Sequence, residues 1–206
     1  MEGQGGMMGG QGGMMGGQGG MMGGQGDMMG GSGTYDPDAK QITIDEAAKM
    51  VERYLRAYYG RDLVLIEVME FTWNFYAEVE EKGTGTHAME LLIDKYTGQV
   101  SPEMGPNMMW NTKYGMMGSY SESRAPTAEM SVTPEQARTI AQRFLNTNLP
   151  GVTVGEADTF YGYYTLHTLK DGQIEGMLSV HGDTGAVWYH TWHGPFIGVE
   201  EFQEAN

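Results

Sequence analysis

From Thr43 onward the apolar positions follow first a period near 3.6 and then a period of 2, and the chain does this twice. Ala47, Met50, Val51, Tyr54 and Leu55 correspond to Ala137, Ile140, Ala141, Phe144 and Leu145 at an offset of ninety residues, which predicts two amphipathic helices of about four turns. Each opens on a capping box, Thr43-Ile-Asp-Glu46 and Thr133-Pro-Glu-Gln136, and Pro134 suits the first helical position of the second. Gly60 and Pro150-Gly151 are the stop signals. Alternating stretches follow: 63–71, 73–81 and 87–94 after the first helix, and 152–160, 161–169 and 174–181 after the second. Lys170-Asp-Gly172 is a tight hairpin signal and Lys82-Gly-Thr-Gly85 a looser one. Both stretches close on a turn and a further strand, Asp94-Lys-Tyr-Thr-Gly-Gln-Val100 and His181-Gly-Asp-Thr-Gly-Ala-Val187. The prediction is an α+β protein of two repeated units, each one helix followed by an antiparallel β-meander.

A Thr-x-x-Glu/Gln helix cap, a meander and a closing Asp-x-x-Thr-Gly-x-Val turn resemble the PepSY domain, found in propeptides of secreted thermolysin-like peptidases and in many exported proteins. The resemblance covers residues 43–100 and 132–187, with His181 where the family usually has Asp. It implies an extracytoplasmic, non-catalytic module that binds protein, sometimes as a peptidase inhibitor or folding partner.

Residues 1–33 break the pattern. They repeat Met-Met-Gly-Gly-Gln-Gly-Gly, and seventeen of the thirty-three are Gly. Ordering such a tract costs roughly 1 to 2 kcal/mol per residue, with Gly at the high end, while burying its eight paired Met returns about 1.5 to 3 kcal/mol each. Order in this arm therefore requires a companion chain or an ion. The chain divides into the arm (1–33), a first PepSY-like domain (34–114), a Ser/Gly/Pro-containing linker (115–130) and a second PepSY-like domain (131–206). A formal charge of −15 argues against nucleic acid and anionic membrane surfaces as partners. With no Cys, thiol and disulfide chemistry are excluded. No stretch is long and apolar enough for a membrane span, and an exposed Gly/Met arm points to an extracytoplasmic setting.

Candidate chemistry is sparse. Met7, Met8, Met14, Met15, Met21, Met22, Met28, Met29, Met108, Met109, Met116 and Met117 form six adjacent pairs, soft donors suited to Cu(I), or else adaptable apolar knobs. His190 and His193 lie in Trp188-Tyr-His-Thr-Trp-His193. In a continuous strand, residues three apart face opposite sides, so these two chelate together only if the strand ends; otherwise each is a structural histidine and Trp188, His190 and Trp192 form an aromatic ladder. Glu78, Glu80 and Glu81 read as solvated strand positions, and Trp73, Phe75, Tyr76, Tyr161, Tyr163 and Tyr164 as core and sheet face. There is no Gly-x-Ser-x-Gly elbow, His-Glu-x-x-His helix or phosphate-binding Gly loop. The expectation is a non-enzymatic, exported structural protein without a resident cofactor, in which the arm docks on a neighbouring copy and builds a polymer. Thirty-three extended residues reach about 100 Å, enough to cross a globule roughly 40 Å wide. The alternatives are an extracytoplasmic Cu(I) protein using the Met pairs with His190 or His193, and a peptidase inhibitor or folding partner.

Overall fold

The computed structural model describes residues 39–116 and 129–202. The arm, most of the 115–130 segment and residues 203–206 lie outside the described residues. The elements run α1 (Ile44–Tyr58), β1 (Leu63–Phe71), β2 (Asn74–Glu81), β3 (His87–Asp94), β4 (Val100–Pro102), α2 (Pro106–Met109), α3 (Pro134–Asn148), β5 (Val152–Phe160), β6 (Tyr163–Lys170), β7 (Gln173–His181), β8 (Val187–Tyr189) and β9 (Phe196–Glu201).

Both long helices start on a closed capping box. Thr43 Oγ1 accepts from the Glu46 N–H at 3.3 Å while the Glu46 carboxylate accepts from the Thr43 N–H at 2.8 Å. Thr133 and Gln136 repeat the exchange at 3.3 and 2.9 Å. Four orphan amide protons begin each helix, and this reciprocal pair satisfies two of the backbone donors. Asp171 and Gly172 both take positive φ, 51° and 79°, the geometry that lets a two-residue hairpin follow the twist of β6 and β7.

The strands form one mixed, mainly antiparallel sheet in the order β8-β7-β6-β5-β3-β2-β1-β9, with β4 also on β3. Strands from before and after the 115–130 segment meet at β3 and β5, a parallel pairing through His87 and Phe160. Strand alternation gives the sheet two unlike faces. On one, Phe75, Ala77, Val79, Leu91 and Ile93 pack with Ala47, Val51 and Leu55 of α1, and Leu166, Leu178 and Val180 pack with Ala137, Ala141 and Leu145 of α3. On the other lie Tyr76, Glu78, Glu90, Tyr163, Thr165 and Ser179, equally buried.

The second face is buried because the sheet is rolled. A flat path from β8 to β9 spans about 34 Å at 4.8 Å per strand, yet the link from Tyr189 to Phe196 reaches at most about 25 Å. Glu67 of β1 and His167 of β6, four strands apart along the path, approach to 3.8 Å. Met69, Phe71, Tyr76 and Met177 fill part of the interior as a small apolar cluster. The rest is polar.

Candidate metal centre

Glu103 is placed by a repair of the sheet. Between the ladder with β4 and the single pairing with β5, the backbone of β3 has groups with no strand to meet. Asn107 supplies them: its Oδ1 accepts from the Glu90 N–H at 3.2 Å and its Nδ2 donates to the Glu90 carbonyl at 3.0 Å. One turn on, Asn111 Nδ2 donates to the Ala88 carbonyl at 2.8 Å. Buried backbone groups require such partners. The repair draws the chain after β4 over the sheet end and turns the Glu103 carboxyl inward, fully buried. The turn needs Gly105, whose φ is 83°; a Cβ there would sit 3.1 Å from the Trp192 ring.

His190 and His193 come from the link between β8 and β9. β8 ends at Tyr189, so strand alternation does not separate the two histidines, and both turn inward; of the expected aromatic ladder, His190 and Trp192 stack with ring centroids 4.7 Å apart, while Trp188 meets Trp110 at 5.7 Å. The link is pinned to the rim of the roll, with the His190 N–H donating to the Met177 carbonyl at 3.0 Å and the Trp73 N–H to the His193 carbonyl at 3.1 Å. Gly194, at φ 77°, makes the exit, and a Cβ on it would lie 3.0 Å from the Trp73 ring.

Glu103 Oε1 lies 3.0 Å from His193 Nε2 and 3.6 Å from His190 Nδ1. All three side chains are at most 2% exposed. The hydrogen bonds fix the proton on His193 and are compatible with a ligating tautomer of His190. Asn74 Nδ2 donates to the Trp192 carbonyl at 2.8 Å, so its Oδ1 faces His193 Nδ1 at 2.9 Å and accepts the ring proton. That leaves a lone pair on His193 Nε2 aimed at Glu103 Oε1, which already accepts the Trp192 N–H at 2.9 Å. The two atoms stand 3.0 Å apart, a contact that either a proton on the carboxyl or a cation can fill. On His190 the outer nitrogen, Nε2, meets Ser179 Oγ at 3.0 Å, and Ser179 continues to Thr165 at 3.0 Å and Thr165 to Glu90 at 2.7 Å. With Thr165 donating to Glu90 and Ser179 to Thr165, Ser179 accepts from His190 Nε2–H, and Nδ1 also presents a lone pair. Apart from their contacts with Glu103, His190 Nδ1 and His193 Nε2 have no hydrogen-bond partner.

The contact has the geometry of a charge pair but not its charges. Burial pushes His190 well below the ordinary histidine range, helped by His193, and takes His193 down to about 3. Burial, reinforced by Glu78, raises Glu103 to about 8 against the opposing Trp192 donation. Neutral imidazoles with a hydrogen bond on the far nitrogen are the form in which histidine binds a metal. Two ligand atoms each about 2.1 Å from a tetrahedral ion lie about 3.4 Å apart, which the 3.0 and 3.6 Å separations bracket. A groove of about 620 Å³ between Glu175, Tyr189 and Phe196 has His190 and His193 in its wall.

The inner face carries a second group, less buried than the first. Glu67, Glu78 and His167 bring one ligand atom each within 4.8 Å of one another. Glu78, which burial would raise, is instead held low by the His87 ring 2.9 Å away, and that pairing raises His87 to about 9 against its own burial. Burial first, then Glu78, raises Glu67 to about 8 and Asp158 to about 7. Burial lowers His167. Tyr76 joins this group to the first: its OH is 2.7 Å from Glu78 Oε1 and 2.8 Å from Glu90 Oε1. One proton cannot serve two carboxylates, so one acid donates back. Burial, with Glu103 and Glu78 close by, raises Glu90 far above the carboxylate range and identifies it as that acid.

Of the residues singled out in the sequence, His190 and His193 are brought together, and with Glu103 rather than with a Met pair assigned by pattern. Met109 and Met116 are 54% and 62% exposed and Met108 is partly buried. Met7, Met8, Met14, Met15, Met21, Met22, Met28, Met29 and Met117 lie outside the described residues. Glu78 is not a solvated strand residue but 3% exposed, because the roll covers the face it occupies. Trp73 is 63% exposed, unlike the other aromatics read as core. Glu103 had no signal of its own: it follows β4 in a Pro- and Gly-containing stretch without periodicity. Among the described residues no helix is long and apolar enough to cross a membrane.

No family model matches the chain, and no curated protein does. Among solved structures, the Bacillus megaterium YpeB C-terminal domain is similar at 15% identity with a TM-score of 0.36, over 80% of this chain and 67% of that one.

Proposed function

We propose that this protein is an exported, non-enzymatic metal-binding protein that holds one divalent transition-metal ion with Glu103, His190 and His193. The observation that carries the reading is the convergence of Glu103 Oε1, His190 Nδ1 and His193 Nε2 at 3.0 and 3.6 Å in full burial, where a cation can replace the proton that the Glu103 carboxyl otherwise shares with His193. Two imidazoles and a carboxylate suit Zn²⁺, Cu²⁺ or Ni²⁺ rather than Cu(I), which prefers thioether and thiolate sulfur. Ser179 and Asn74 hold the two rings in the ligating tautomer, and Trp192 orients the carboxylate. Burial of all three ligands favours carriage or storage over catalysis. The scaffold is read as two PepSY-like units, residues 34–114 and 131–206, whose meanders share one sheet. Competition titration with Zn²⁺ tests the site: His193→Gln is expected to weaken binding at this site by more than about 100-fold, beyond the usual effect of losing an outer-shell partner, and an unchanged isotherm would end the reading.

A second reading, self-assembly through the arm, is favoured by one feature. β9 pairs with β1 on one side only among the described residues, and Ile197 and Val199 are exposed along it. An open edge of this kind accepts an added strand. Deleting residues 1–33 is expected to leave folded monomers, and persistent polymer in the truncated protein would rule the arm out.

A further inference from the structure

We infer that the roll contains a second divalent-cation site, formed by Glu67 of β1, Glu78 of β2 and His167 of β6, distinct from the Glu103/His190/His193 centre and harder in its donor set. Glu67 and Glu78 face each other across the β1–β2 hairpin, and β6, remote in sequence, brings His167 to the same point, with all three ligand atoms inside 4.8 Å. The independent sign of a missing partner is on the atoms themselves. Glu67 Oε1 and His167 Nε2 are both shut off from solvent, neither has a hydrogen-bond partner, and they stand 3.8 Å apart, too far to bond each other. That is the separation of two ligands on opposite flanks of one ion rather than of a failed hydrogen bond. Buried polar atoms without partners are rare enough to need a cause.

The surroundings have the charge a cation answers. Asp158 faces the group from β5, close enough to Glu67 and Glu78 to act on both electrostatically, and His87 of β3 is committed to Glu78 at 2.9 Å. Glu78 Oε1 is held by Tyr76 and Oε2 by His87, so the carboxylate is fixed in place and offers a remaining lone pair, as ligating carboxylates usually do. Two carboxylates and one imidazole suit Mn²⁺, Fe²⁺ or Zn²⁺. The hydrogen-bonded chain Glu78, Tyr76, Glu90, Thr165, Ser179, His190 then runs from a ligand of one site to a ligand of the other, so occupancy of one polarises a ligand of the other.

The test is Zn²⁺ stoichiometry and affinity on the full chain, measured by competition titration and by metal analysis after gel filtration; Zn²⁺ is chosen because thioethers of the arm bind it poorly. The expected result is two equivalents for the wild type. His193→Gln keeps one, and Glu67→Gln with His167→Gln keeps the other. Tyr76→Phe, which cuts the chain between the sites, is expected to retain two equivalents with an altered ratio of the two affinities. One equivalent in the wild type, abolished by His193→Gln, would overturn the second site and leave the first standing. Two equivalents surviving in the double variant would also overturn it. Two equivalents with equal retention in Glu67→Gln alone serves as the same refutation if the double variant does not give the wild-type circular dichroism spectrum.

Discussion

The two faces of the sheet are equally buried and chemically opposite. Along β7, Leu178 and Val180 face α3, while Met177 and Ser179 alternate with them toward the interior of the roll, and all four are fully buried. Along β2 the same contrast sets Phe75, Ala77 and Val79 against Tyr76 and Glu78. The helix-facing side is made of groups that need nothing but contact, and its stabilisation comes from area removed from water. The inner side is made of groups that are stable in burial only if partnered. Its partners are nearly complete along Tyr76, Glu90, Thr165 and Ser179, and among the buried atoms left without one are those around Glu103 and those between Glu67 and His167. One face specifies the fold, and the other carries the two groups proposed to hold ions.

Adjacent residues on β7 separate these roles. Leu178→Ala removes a fully buried side chain from beneath α3 and is expected to destabilise the metal-free protein by about 2 to 5 kcal/mol in denaturant unfolding, with Zn²⁺ affinity at Glu103/His190/His193 unchanged. Ser179→Ala is expected to do the reverse: a stability change of about 1 kcal/mol, and a 10- to 100-fold loss of affinity because His190 loses the hydrogen bond that sets its tautomer. Equal effects of the two variants on metal binding would mean that the inner face is a second core and not a site.

Much of the scaffold is legible in the chain because its signals are local. Thr43 and Thr133 declare their helices through the residue three positions on, Asp171-Gly172 declares the β6–β7 turn, and strand alternation places β1, β3, β5 and β7 within a residue or so of their observed bounds. The site is not local. Glu78 is indistinguishable in sequence from a solvated strand residue, since alternation reports which residues share a face and not whether that face is covered. What covers it is the parallel meeting of β3 and β5 and the return of the chain from β8 to β9, both long-range. The chelating potential of His190 and His193 depends on β8 stopping at Tyr189, and nothing in the alternating Val187 to Trp192 pattern marks that stop. Glu103 owes its position to Asn107 and Asn111 repairing the edge of β3, a role no motif announces.

The most direct measurement is zinc X-ray absorption on the full-length Glu67→Gln protein loaded with one equivalent of Zn²⁺, which isolates the Glu103/His190/His193 centre. The expected spectrum has nitrogen and oxygen neighbours at about 2.0 to 2.2 Å with the outer-shell scattering of two imidazole rings. A shell of sulfur, or oxygen neighbours with no imidazole signature, would contradict the assignment.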